Sequence, residues 1–226
     1  MSCHCQCAES MFGERTARRE LKRYRKRGAT GATRLLIDAL KAEGVEDATL
    51  LDIGGGVGVI QHELVGAGAA SALGVDAAPA YLEAVRKEAE RRGFAGRVSE
   101  RRGDFVELAA EIPQVDIATL DKVICCYPDM ERLIALSAGR ADKLYGLVYP
   151  RDTWLVRAGM AAMNLFLRVR RTSFRVFVHP AADVERAVRA NGFEERFRGQ
   201  TGLVWQVRVY ARIAFPSTLA PFASQS

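Results

Sequence analysis

The sequence predicts an α/β fold in which helices cover both faces of a doubly wound, largely parallel sheet of seven strands. Three observations carry this. Short apolar runs alternate with segments of helical periodicity along most of the chain. A glycine cluster, Gly54-Gly55-Gly56-Val57-Gly58, directly follows the first apolar run. Two late strand-like runs flank Gln200-Thr201-Gly202, a hairpin signal that makes the last two strands antiparallel at one edge.

The elements follow in order. Residues 14–27 read as a helix with Ala17, Leu21 and Tyr24 on one stripe, ended by Gly28. A second helix runs from near Thr30 to Gly44. Thr49 to Ile53 is a buried strand, and residues 57–66 form the helix after it. Leu73 to Asp76 is the next strand. Pro79 then opens a helix holding Tyr81, Leu82, Val85 and Ala89, and Gly93 stops it. Strands are expected at 97–101, within 115–126, and from Leu144 to Tyr149, with a helix over 129–141. A helix over 152–170 is apolar nearly all round, which predicts that it is buried or covers something apolar; insertion into a lipid surface is the other reading. A helix ending at Ala190 is capped by Asn191-Gly192, and strands at 193–198 and 203–212 complete the fold. The tail 213–226 reads as irregular.

Composition narrows the class. Hydrophobic residues make up 49% of 226, enough for a sizeable core. No apolar run reaches the ~18–20 residues of a membrane span, and the N-terminus lacks a signal-peptide layout, so a cytoplasmic protein is expected. The formal charge of +6 is concentrated between Glu14 and Arg27, where eight Arg and Lys residues oppose Glu14 and Glu20. Such a run attracts phosphates or carboxylates, or is simply a solvated helix face. The cysteines Cys3, Cys5, Cys7, Cys125 and Cys126 have neither the even count of a disulfide framework nor the usual zinc spacing, so no metal site is expected.

The constellation with most chemical content is Asp52-Ile53-Gly54-Gly55-Gly56-Val57-Gly58 followed by Asp76, twenty residues beyond Gly56. Glycines where a strand turns into a helix let a ligand approach the backbone closely. An acid at the end of the next strand can accept two ribose hydroxyl hydrogen bonds in the crevice of an open α/β sheet. The dinucleotide pattern G-x-G-x-x-G is incomplete, since its third glycine falls on Val59 or Gln61 in either register. A P-loop is excluded because no Gly-Lys-Ser/Thr follows.

Asp52-x-Gly54-x-Gly56-x-Gly58 resembles motif I of the class I S-adenosylmethionine-dependent methyltransferases. The resemblance implies a Rossmann-like sheet, S-adenosylmethionine as cofactor with S-adenosylhomocysteine as product, and a place for Asp52 near the cofactor's amino group. Asp76 matches the family's ribose-binding acid. Gly103-Asp104-Phe105 resembles its adenine motif. Asp121 to Tyr127 resembles the fourth-strand motif lining the methyl-transfer site. The implied cofactor set is therefore Asp52, Gly54, Gly55, Gly56, Gly58, Asp76, Asp104, Phe105 and Asp121.

Within that family, Lys22-Arg23-Tyr24-Arg25 and Tyr127-Pro128 resemble magnesium-protoporphyrin O-methyltransferases and related small-molecule enzymes. Those enzymes often carry histidine before Tyr-Pro, where this chain has Cys126, a departure that bears on both the porphyrin substrate and histidine base catalysis. The resemblance implies that residues 1–28 form an arm and lid, that 29–212 form the methyltransferase domain, and that 152–172 add a helical substrate cap. Candidate catalytic groups are Cys126, Tyr127, Asp129 and His179. For Asp129 a helix N-cap, and for His179 a structural turn, are the competing assignments. Candidate substrate contacts are Phe12, Tyr24, Trp154, Met160 and Phe166.

The acceptor is expected to be a small molecule, with oxygen as the candidate methylated atom. The alternatives are an RNA methyltransferase recruited through the basic helix, a metalloid or thiolate methyltransferase using the cysteines, and a non-catalytic S-adenosylmethionine-binding protein. Nucleic acid is the less favoured partner. Base-methylating enzymes of this fold often carry Asn-Pro-Pro-Tyr or Asp-Pro-Pro-Tyr, and Cys126-Tyr127-Pro128-Asp129 departs from both.

Overall fold

The structure is a computed structural model, and it describes residues 13–213. Cys3, Cys5, Cys7, Phe12 and the tail from 214 onward lie outside the described residues. Eight α-helices occur among the described residues: α1 (Glu14–Arg27), α2 (Gly31–Glu43), α3 (Val59–Val65), α4 (Pro79–Arg92), α5 (Phe105–Leu108), α6 (Met130–Ala138), α7 (Trp154–Val169) and α8 (Ala181–Ala190). The strands are β1 (Thr49–Ile53), β2 (Ser71–Asp76), β3 (Val98–Arg102), β4 (Val115–Asp121), β5 (Ala141–Pro150), β6 (Phe193–Thr201) and β7 (Trp205–Arg212).

They form one seven-stranded sheet in the order β3-β2-β1-β4-β5-β7-β6. Strands β1 to β5 pair in parallel, and β7 runs antiparallel to both β5 and β6. The order reverses between β1 and β4, where an open α/β sheet presents its crevice. The expected fold class, including the antiparallel edge hairpin, is therefore what the chain adopts.

Alternating side chains on each strand feed two apolar layers. Leu50, Ile117, Val148 and Val207 pack under α2 and α3. Leu51, Ala118, Tyr145 and Tyr210 pack under α6 and α8. A smaller third cluster joins Ala17, Leu21 and Tyr24 of α1 to Val57, Ala78, Tyr81 and Ala84. The stripe read on residues 14–27 thus docks α1 beside the glycine loop.

Three expectations need correction. The fourth strand ends at Asp121, and Ile124–Cys126 form a 3-10 turn, so the two cysteines do not sit on a strand. The hairpin turn lies after Thr201, which still pairs with Trp205; Gly202 supplies the left-handed residue. Helix α7 is not buried. Among the described residues, Val156 and Leu167 are its buried side chains, while Trp154, Leu155, Leu165, Phe166 and Val169 face outward. Helical periodicity reports an apolar face but not whether a partner element covers it.

Candidate functional site

A cavity of about 490 Å³ opens at the carboxyl ends of β1, β2 and β4. Its floor is the loop from Ile53 to Val57. Gly54, Gly56 and Gly58 have φ of 62°, 56° and 74°, a left-handed geometry that glycine adopts without strain. A side chain on Gly54 would strike Val123, with its Cβ 2.6 Å from Cγ2, so the absence of side chains also lets the loop pack against the β4 segment.

Beneath the loop, Asp52 is fully buried. Thr119 Oγ1 donates to its Oδ1 at 2.7 Å and Gln61 Nε2 to its Oδ2 at 3.1 Å. Burial outweighs these two bonds and pushes the Asp52 carboxyl up to about 7. Asp52 and Gly58 therefore support the loop from behind rather than line the cavity.

Asp76, at the end of β2, faces the cavity. The Ala78 amide donates to its Oδ1 at 2.8 Å and the Gly56 amide to its Oδ2 at 3.3 Å. Burial again dominates, raising this carboxyl to about 6. Asp104 caps α5 by accepting from the Val106 amide at 3.0 Å, and Tyr127 Oη stands 3.4 Å from both of its oxygens. Phe105 lies next to it on the wall. Asp121 accepts from Thr33 Oγ1 at 2.5 Å and meets Lys122 Nζ at 3.0 Å. Gly54, Gly55, Gly56, Asp76, Asp104, Phe105 and Asp121 are thus brought onto one cavity wall.

The candidate catalytic residues divide. Cys126 and Tyr127 line the cavity. Asp129 does not; it is exposed and caps α6 by accepting from the Arg132 amide at 3.1 Å. His179 also lies off the wall. Its Nε2 sits 3.1 Å from the carbonyls of Ile124 and Tyr127, and its ring stacks on Phe177, so it ties the 174–179 segment to the 3-10 turn. Cys125 and Cys126 hold their Sγ atoms 3.8 Å apart. The hydrogen bond between them, together with burial, raises the Cys125 thiol, whereas the same bond lowers Cys126. Among the described residues, no cluster of three or more His, Cys, Asp or Glu could hold a metal ion.

Of the candidate substrate contacts, Tyr24 lines the cavity, while Trp154, Met160 and Phe166 on α7 do not. Tyr24 Oη donates to Glu63 Oε1 at 2.8 Å, and its ring stacks on His62, which burial holds down near pKa 4. Glu20, Thr33 and Phe174 line the cavity without having been singled out for it by sequence reading, whereas Arg23 and Lys122, which also line it, fall within the Lys22–Arg25 and Asp121–Tyr127 segments that carry the resemblance. For Thr33 and Phe174 no local pattern signals this, because each reaches the wall from a distant part of the chain. The lining carboxylates Glu20, Asp76, Asp104 and Asp121 outnumber the lining cations Arg23 and Lys122, so the cavity suits a ligand that carries positive charge.

Residues 50–139 match the family model described as "Methyltransferase domain". The matched stretch, 90 of the chain's 226 residues, runs from β1 through α6 and takes in the glycine loop, Asp76 and Asp104. Among curated proteins, the ribosomal protein L11 methyltransferase of Dechloromonas aromatica (strain RCB) is 28% identical over 132 residues, 57% of this chain and 45% of that protein. The chain thus spans less than half the length of that relative. Among solved structures, magnesium protoporphyrin IX methyltransferase from Synechocystis PCC 6803 with bound SAH superposes with a TM-score of 0.65 at 19% identity, covering 79% of this chain and 80% of that one. An O-methyltransferase family 2 protein from Planctomyces limnophilus DSM 3776, in complex with apigenin, gives 0.66 at 16% identity, covering 88% and 62%. At these identities the two structures establish the fold alone.

Proposed function

We propose that this chain binds S-adenosylmethionine in the 490 Å³ cavity and transfers its methyl group to a small molecule, with oxygen as the acceptor atom. The observation that carries the reading is the row of acids around the bare glycine loop. The cofactor is a sulfonium with an amino group, and four lining carboxylates favour such a cation. In this reading Asp76 accepts the ribose hydroxyls, Asp104 and Phe105 hold the adenine, and Gly54 to Gly56 admit the cofactor against the backbone. Asp121 and Thr33 border the methyl end. Cys126, Tyr127 and Phe174 face the acceptor. Helix α1 closes the cavity through Glu20, Arg23 and Tyr24, acting as a lid.

Methyl transfer from a sulfonium asks for in-line positioning above all. Burial and a roofed cavity exclude water from the reacting centre and hold the acceptor against the methyl carbon. A hydroxyl or carboxyl acceptor that is already ionised needs no protein base. An un-ionised acceptor passes its proton to Tyr127 Oη as the tyrosine's own proton moves on to the Asp104 carboxylate that it faces at 3.4 Å.

The L11 methyltransferase match favours a second reading, a protein acceptor. Two measurements separate the readings. Calorimetric titration with S-adenosylmethionine, with NAD as comparison ligand, should show binding of the former alone; binding of NAD alone would sink the methyltransferase reading. Labelled S-adenosylmethionine offered with a panel of phenols and carboxylic acids, and separately with ribosomal protein, should place label in small products that extract into organic solvent away from the unreacted cofactor. Label in precipitated protein instead would favour the second reading.

A further inference from the structure

Residues 153–182 contain Arg157, Arg168, Arg170, Arg171 and Arg175 and not one Asp or Glu. Most of this stretch is α7, and α7 turns its apolar side to solvent. Trp154 is 75% exposed, Val169 74%, Leu165 65%, and Leu155, Phe166 and Met163 about half. Single exposed apolar residues need no explanation, but a contiguous face of large ones marks an interaction surface.

The face is ordered around the helix. At about 100° per residue, Trp154, Leu165, Val169, Leu155 and Phe166 share one arc. Val156 and Leu167 occupy the opposite side and anchor α7 to the body. Asn164 adds to the anchor by exchanging hydrogen bonds with the Val176 backbone at 2.7 and 2.9 Å. Arg157 and Arg168 border the apolar arc, and Arg170 and Arg171 extend from its carboxyl end. Arg170 lies over the Phe166 ring at 5.7 Å. Among the described residues, Arg168, Arg170 and Arg171 meet no carboxylate; Arg157 pairs with Asp152.

We propose that α7 is a docking face for an anionic lipid surface. An aromatic and aliphatic face edged by arginines matches a helix lying in the headgroup layer, with the apolar side chains in the acyl boundary and the guanidiniums on lipid phosphates. Its sixteen residues span about 24 Å, too short to cross the ~30 Å core, so it lies on the surface and does not span it. Two copies of this chain pairing through the face would bring unpaired arginines together with no carboxylate between them, which disfavours self-association. From α7 the chain runs through Arg170 and Arg171 to Phe174, which is buried on the cavity wall. Docking therefore holds one wall of the cavity next to the membrane interface. The docking does not depend on which acceptor is methylated.

The test is co-sedimentation of the full chain with vesicles of phosphatidylcholine, alone or containing phosphatidylglycerol. The expected result is pelleting with the anionic vesicles, weakened by salt, with a blue shift of tryptophan emission that Trp154→Phe removes. Each basic residue at such a surface contributes about fivefold. The triple variant Arg168→Gln, Arg170→Gln, Arg171→Gln should therefore lose on the order of a hundredfold in partitioning. Leu165→Glu with Phe166→Glu should abolish it. These side chains are exposed, so circular dichroism should match the parent; Leu165→Ser with Phe166→Ser serves if the glutamates disturb the helix. A chain that stays in the supernatant with anionic vesicles, variants that pellet as the parent does, or a stable dimer by light scattering that the face variants dissolve would each overturn the proposal.

Discussion

The Gly56 amide donates to Asp76 Oδ2 at 3.3 Å, joining the glycine loop after β1 to the acid that ends β2. Two strand ends that are far apart in sequence thus form one wall. If Asp76 also accepts ribose hydroxyls, Asp76→Ala removes charge-assisted bonds worth about 1.5–3 kcal/mol, roughly 10- to 100-fold in S-adenosylmethionine affinity. Asp76→Asn, which keeps an oxygen acceptor, should lose less. Calorimetric titration measures both. Affinity unchanged in Asp76→Ala would remove this residue from the cofactor site.

Proton linkage gives a second expectation. Burial raises Asp52 to about 7 and Asp76 to about 6, from an ordinary value of 3.8. Between those values the folded chain keeps protons that the unfolded chain has released. Their contribution to stability is therefore full below pH 3.8 and is lost as pH rises through about 6 and 7. Asp52→Asn should flatten the fall in melting temperature between pH 5 and 8. A cationic cofactor favours the ionised acids, so binding should release protons near pH 6 and tighten as pH rises. Calorimetry in buffers of different ionisation enthalpy reads that release directly. Proton uptake instead would show that the acids do not face the cofactor's charge.

The parts legible in sequence were those with local physical rules. Parallel strands read as apolar runs, and the Gly54–Gly58 turn with Asp76 twenty residues beyond Gly56 announced the cavity floor. Asp129 and His179 take the competing assignments that local reading offered: one caps α6 and the other braces a loop. The direction of a side chain leaving a turn is set by tertiary packing. Thr33 reaches Asp121 across 88 residues, and Phe174 enters the wall beyond α7, contacts that no local period encodes. Likewise, the apolar periodicity of α7 was visible, but its exposure depended on no other element among the described residues covering it.

Helix α1 is fastened by a buried carboxylate. Glu88 has a fully buried side chain and accepts from Arg25 at 2.7 Å, Arg91 at 2.5 Å and Arg92 at 3.0 Å. Burial alone would raise its pKa, but the three guanidiniums outweigh it and bring it to about 2. This stabilisation is full above the ordinary glutamate value of 4.5 and is lost as pH falls through about 2. Glu88→Gln leaves three partly exposed arginines without their shared anion and should destabilise the fold by about 1–3 kcal/mol, the range for losing hydrogen bonds to a charged group. Helix α1 should also become easier to cleave with trypsin, since Arg25 is its own contribution to the cluster. An unchanged melt together with an unchanged cleavage rate would mean that α1 is held by its apolar stripe alone.

The glycine loop allows a sharper steric test. A Cβ on Gly55 would stand 2.0 Å from Asp52 Oδ2 and 2.9 Å from Gln61 Nε2. Asp52 is fully buried and held by Thr119, so it has nowhere to retreat. Gly55→Ala should therefore separate Gln61 from Asp52 and destabilise the fold by about 1–3 kcal/mol, the range for overpacking. Gly96→Ala is the matched control. No atom lies within 4 Å of the place a Cβ would take there, and its backbone is not left-handed, so it should stay within about 0.5 kcal/mol of the parent. Denaturant melts of both variants measure the difference. Equal stability would mean that the loop can lift off Asp52 at little cost. In that case the loop's conformation in the cofactor-free chain would not be pre-set by the acid beneath it, and the cofactor would have to order it on binding.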